Sequence, residues 1–149
     1  MKLSTKGRYG TRALLDVALH QGDNPVQLKD IAGRQQISLS YLEHLVAPLV
    51  AAGILRSVRG ARGGVSLARP AEKIPIIDVV RALEGSLAPV ECVDDAAQCP
   101  RSESCVTRDI WIETMRAMEA VLESMTLADL VRRQREKSGV KSDDSGFCV

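Results

Sequence analysis

Cys92, Cys99 and Cys105 fall within one polar stretch, separated by six and five residues. Thiolates are strong ligands for soft and borderline metals, so a triplet this dense points to a metal. Zinc sites usually draw on closely spaced Cys-x-x-Cys pairs. The wider, uneven spacing here suits thiolates reaching around a larger object, an iron–sulfur cluster. Such clusters take about four protein ligands, predominantly Cys thiolates. Three cysteines leave one ligand unassigned. The alternative is three unrelated thiols, but structural Cys normally sits on apolar elements, not in a polar loop. Cys148 lies near the end of the chain. It could reach in or play no part.

The elements that must carry this loop are mainly helical. From Thr5 to about Gln21, Tyr9, Ala13, Leu14, Val17 and Ala18 recur at helical spacing, with Ser4 or Thr5 as cap. After the turn cluster Gly22-Asp23-Asn24-Pro25 a short helix spans about Leu28 to Arg34. A third helix begins near Ser38 or Ser40 and ends at Gly53. Ser40 and Glu43 have capping-box spacing, and Ser38 competes as the cap. Pro48 inside it predicts a kink or local unwinding near His44 to Ala47. Ile54–Val58 and Val65–Ala68 read as strands around the glycine-rich tip that carries Arg59 and Arg62. Two short helices, a turn, a capped third helix and a basic hairpin make a winged helix-turn-helix.

Pro75 opens a helix to about Leu83, closed by Gly85. Residues 86–104 lack periodicity and read as a loop. A long helix over about Val106 to Ser124 carries the broad apolar stripe Ile110, Trp111, Met115, Met118, Val121, Leu122 and Met125. Thr126 and Asp129 offer a capping pair for a short helix to about Arg135. The polar remainder reads as a disordered tail. The expected division is therefore 1–85 winged helix-turn-helix, 86–104 cysteine loop, 105–135 pairing helix and short last helix, and 136–149 tail.

Charge divides the same way. Residues 1–90 hold 12 Lys/Arg against 7 Asp/Glu, and residues 91–149 hold 8 against 12. Only the front half is suited to a polyanion. In a recognition helix the N-terminal residues face base edges. Here those are Ser38, Ser40, Tyr41 and Glu43, followed by His44. Glu43 can accept from a cytosine amino group, or it is merely the capping partner of Ser40. Caps are commoner than base readers, so the spacing by itself favours the cap. Arg59 and Arg62 suit the minor groove or phosphates. No apolar run is long enough to cross a bilayer, and Met1–Lys6 does not read as a signal peptide, so a cytoplasmic location is expected. Only two His exist, neither near a Cys in sequence, and no phosphate-cradling glycine motif opens a helix. An enzyme with a small-molecule substrate is not expected.

These residues resemble a family. Met1-Lys2-Leu3-Ser4-Thr5-Lys6-Gly7-Arg8-Tyr9, Leu14-Leu15-Asp16-Val17-Ala18-Leu19, Ile37-Ser38-Leu39-Ser40-Tyr41-Leu42-Glu43, Ser57-Val58-Arg59-Gly60 with Gly63-Gly64, the three loop cysteines and Trp111 are similar to the IscR-type winged-helix regulators. The resemblance covers about Met1 to Arg132. It implies a homodimer that binds operator DNA, probed by Ser38, Ser40, Tyr41, Glu43 and Arg59. It also implies a [2Fe–2S] cluster on Cys92, Cys99 and Cys105, and pairing of the long helix with its two-fold mate. The function it implies is cluster-controlled transcription regulation, with repression expected, over iron–sulfur cluster biogenesis. One position departs. Well-studied members carry a His three residues after the last Cys as fourth ligand, and here that residue is Arg108, which cannot ligate iron at ordinary pH. Asp94, Asp95, Glu103 and Asp109 are nearby alternatives. Elsewhere in the family an acid in the N-terminal arm serves, but position 8 is Arg8. Two other readings stand beside this one. A cluster-free regulator of sulfur or cysteine metabolism would generally lack the cysteine triplet. A metal-binding protein-interaction module would have no task for Arg59 and Arg62.

Overall fold

The structure, a computed structural model, describes residues 1–144, with side chains to Gly139. Helices α1 (Thr5–His20), α2 (Leu28–Gln35) and α3 (Leu39–Ala51) precede a hairpin of β1 (Leu55–Val58) and β2 (Gly64–Leu67). Helices α4 (Ile76–Glu84), α5 (Glu91–Asp94), α6 (Val106–Glu123) and α7 (Leu127–Asp144) follow, with short 3-10 turns at Ala71–Lys73, Ala96–Gln98 and Ser102–Ser104. This is the mainly helical winged-helix plan that the sequence predicts.

Local chemistry explains most of these bounds. Ser4 caps α1, its hydroxyl accepting from the Gly7 N–H at 3.0 Å. Gln36 ends α2 in the left-handed region, at φ 55°. That reversal leaves Ser38 as the last extended residue, and its hydroxyl accepts from the Tyr41 N–H at 3.1 Å. Ser40 is therefore already inside α3, and the Ser40–Glu43 capping pair favoured by the spacing does not form. The unwinding expected around Pro48 is also absent, since α3 is helical throughout. Leu42, Leu45, Val46 and Leu49 are buried along its inner face and hold it, while His44, whose carbonyl loses its partner to Pro48, is exposed.

The core gathers Leu14 and Val17 of α1, Ile31 of α2, Leu42 and Leu49 of α3, and Val79 and Leu83 of α4. Gly10 lets α4 approach α1, since a Cβ there would stand 2.6 Å from the Leu83 methyls. In the hairpin, Leu55 pairs with Leu67 and Val58 with Gly64. Strand β2 is stitched to the α1–α2 connection by two bonds between Val26 and Val65, at 2.8 and 2.9 Å. A side chain at Gly64 would strike the Val26 carbonyl, so glycine is required at that approach.

The connection 86–104, read as a loop, holds α5 and two 3-10 turns instead. Asp95 organises one of them by accepting from the Ala97 N–H at 3.0 Å and from Gln98 at 3.0 Å. Helix α7 returns to the core, with Leu127 fully buried and backbone bonds Leu127 to Ile74 and Ile76 to Met125, both 2.9 Å. It also runs past Arg135, where the sequence reading closed it, to Asp144. Good helix formers over 132–137 carry it on, with Arg132 paired to Asp129 at 3.0 Å. By contrast, α6 has no fully buried residue. Among its exposed side chains are Val106, Ile110, Trp111 and Val121.

Candidate DNA-reading surface and cysteine loop

Ser38, Ser40, Glu43 and His44 are exposed at the start of α3, with Tyr41 half-buried beside them. The inner leucines fix this outward face. Glu43 has no hydrogen bond or ion pair among the described residues, so capping does not account for it. Arg59 and Arg62 are exposed on the hairpin tip, and Arg56 at its base donates to the Ser66 hydroxyl at 2.9 Å. The sequence-predicted DNA residues thus fall into two exposed groups, one on the first turns of α3 and one on the hairpin tip.

The three cysteines lie on successive small elements of one connection. Cys92 is on α5, Cys99 ends the turn Ala96–Gln98, and Cys105 precedes α6. All three are free and half-buried. The Cys105 thiol is held below its ordinary pKa, first by Thr107 (Sγ to Oγ1, 3.0 Å) and then by the Arg108 N–H. Arg108 latches the loop to α6 by donating from Nε to the Cys92 carbonyl at 2.7 Å. Sequence reasoning excluded Arg108 as a ligand and missed this role, which no residue pattern announces. Cys148 lies outside the described residues.

Two observations test whether a cluster fits. Among the described residues no three His, Cys, Asp or Glu stand close enough to hold a single metal ion. A [2Fe–2S] cluster, however, spreads its ligands over two irons. The hydroxyl of Ser102, between Cys99 and Cys105, is buried with no partner among the described residues. A buried, unsatisfied donor calls for an acceptor, and cluster or cysteinyl sulfur is one. Three thiols and this hydroxyl fit such a group in donor type.

A helix-turn-helix with a basic wing defines a winged-helix DNA-binding protein, and the comparisons specify the kind. Residues 3–133 match the family described as Rrf2, iron-dependent transcriptional regulator. The chain belongs to that family: it is a transcription regulator and not an enzyme. It is 54% identical over 132 residues to the protein rrf2 of Nitratidesulfovibrio vulgaris, covering 89% of this chain and 88% of that one. Among solved structures, T. potens IscR superposes with a TM-score of 0.74 at 43% identity, covering 92% of this chain and 90% of that one. CymR, the global cysteine regulator of B. subtilis, superposes with a TM-score of 0.73 at 40% identity, covering 89% and 98%. No helix among the described residues is long and apolar enough to cross a membrane.

Proposed function

We propose that the chain is a homodimeric repressor whose operator binding responds to a [2Fe–2S] cluster held by Cys92, Cys99 and Cys105, acting on genes of cluster biogenesis. Residues 1–85 read DNA through Ser38, Ser40, Tyr41, Glu43, Arg59 and Arg62, residues 86–104 enclose the cluster, and α6 pairs the protomers. The observation that carries this reading is the cysteine loop: three half-buried thiols on one connection, with a buried hydroxyl among them that has no partner among the described residues. A bound cluster supplies a centre whose integrity depends on iron and oxidants. The chain's own part is mechanical. Cys92, Cys99 and Cys105 would hold the group as thiolates, tying α5 and the turn Ala96–Gln98 to the start of α6. The loop joins α4, in the winged-helix core, to α6, so ordering it biases how the two wings are held.

Anaerobic reconstitution tests this. Cys92→Ala, Cys99→Ala and Cys105→Ala should each abolish bound iron and acid-labile sulfide, whereas Cys148→Ala should leave both. Operator affinity at fixed salt should then differ between holo and apo protein. Equal affinities would remove the sensor. A specific observation favours a second reading, a cluster-free regulator of cysteine metabolism: the structural likeness to CymR. Failure of the wild-type chain to take up iron and sulfide would select that reading.

A further inference from the structure

Asp16 is an acid where the fold has no evident need of one. It is 3% exposed, on the buried face of α1 between Leu14 and Val17. Its carboxylate is enclosed by donors from the end of α2. Arg34 Nη2 stands 2.6 Å from Oδ1, and its Nε stands 3.0 Å from Oδ2 and 3.2 Å from Oδ1. Gln35 Nε2 donates to Oδ2 at 2.9 Å. One turn along α1, His20 Nδ1 lies 3.5 Å from Oδ1 and 2.9 Å from the Asp16 carbonyl.

The contacts continue from there. The Gln35 side-chain oxygen accepts from Arg12 Nε at 3.1 Å. The Arg12 guanidinium sits 5.2 Å over the Tyr9 ring. Tyr9 meets Tyr41 edge to face, with centroids 6.2 Å apart at 78°. Tyr41 belongs to the first turn of α3, and its N–H is the one Ser38 caps. A path of directional contacts therefore runs from a buried carboxylate to the helix turn that presents Ser40 and Glu43. Apolar packing is non-directional and tolerates small rotations of a helix. A buried carboxylate must keep its donors, so it fixes α2 in one orientation on α1. Helix α2 ends at Gln35, and after Gln36 the chain reaches Ser38, the cap of α3.

We propose that Asp16, acting through Gln35 and Arg12, is a positioning residue for sequence discrimination: it aims the first turn of α3 without touching DNA. This rests on α3 being the reading helix. The network governs the ratio of specific to non-specific affinity and leaves the count of phosphate contacts unchanged.

The test begins with selection of a preferred duplex from a random-sequence library by the full chain. Binding to that duplex and to a scrambled one is then measured across salt. Asp16→Asn should lower the preferred-to-scrambled ratio about fivefold or more, the low end of what a lost base contact costs. Because Asp16→Asn could weaken the fold, Gln35→Ala is the second variant. It cuts the link to Arg12 and keeps the Asp16–Arg34 pair. The ratio should fall with the melting temperature and salt slope held. Arg12→Ala should likewise lower the ratio at constant slope, whereas a slope smaller by about one unit would make Arg12 a phosphate contact and break the path. Glu43→Ala is the control. If it loses discrimination while folded Asp16→Asn and Gln35→Ala keep theirs, the positioning role is wrong. If Glu43→Ala also keeps it, α3 is not the reading helix and the inference falls with that reading.

Discussion

Glu43 shows what one residue's surroundings decide. Exposed and unpartnered among the described residues, it contributes little to the fold. Glu43→Ala should therefore change stability by no more than about 0.5 kcal/mol while relaxing sequence preference. Thermal melting beside competition binding separates the two, and a large melting shift with preference intact would restore the cap. Arg59→Ala and Arg62→Ala should instead weaken binding to every sequence, each reducing the salt slope by about 0.9. The residue types of both groups were legible in the chain. The identity of the cap was not. Ser38 and Ser40 are chemically equal candidates, and the choice turns on the left-handed Gln36, a conformation for which glutamine gives no notice. Asp16 was legible only as an acid on an apolar stripe. Its partners come from another helix, so no local pattern exposes them.

Elements whose signals are local came through nearly whole: α1 to α3, the hairpin and the opening of α7. Thr126 and Asp129 do cap α7, the carboxylate accepting from the Thr126 N–H at 2.9 Å and the hydroxyl from the Asp129 N–H at 3.3 Å. The Asp129 pKa is lowered, first by that backbone N–H, then by the Thr126 hydroxyl and by Arg132. A depressed carboxylate adds stability that is complete above its unfolded pKa, about 3.9, and is lost as pH falls through the folded value. Asp129→Asn should therefore melt below wild type at neutral pH, and the two melting curves should converge in acid. Calorimetry from pH 7 to pH 2 measures this, and a constant gap would contradict it. The small elements of 86–104 escaped the sequence because they are set by single side chains and long-range packing. Asp95 forms one turn, and Arg108 fastens α5 to α6 through a backbone carbonyl, an acceptor that every residue carries. The length of α7 was missed for the opposite reason, since its charged residues look like a solvated tail and are also good helix formers.

For the whole molecule, α6 is the unfinished part. Ile110 is 52% exposed, Trp111 37% and Val121 58%, and large apolar side chains left exposed along one helix favour association. On the proposed reading, a second copy across a two-fold axis completes it. Light scattering should give a dimer at micromolar concentration, and Ile110→Glu should give a folded monomer with weakened operator binding. A monomeric wild type would refute the pairing. The stitching of β2 to Val26 has a consequence that reaches into the operator itself. On the proposed reading, this tie and the bond from the Ile54 N–H to the Leu49 carbonyl of α3 at 3.0 Å hold the reading helix and the wing at a fixed interval along the duplex. One base pair added between their contacts displaces the far contact by about 3.4 Å and turns it by about a tenth of a helical turn. Such a gauge cannot stretch to follow. Within each half-site, base substitutions between the two points of contact should be tolerated, whereas a single insertion or deletion there should abolish recognition.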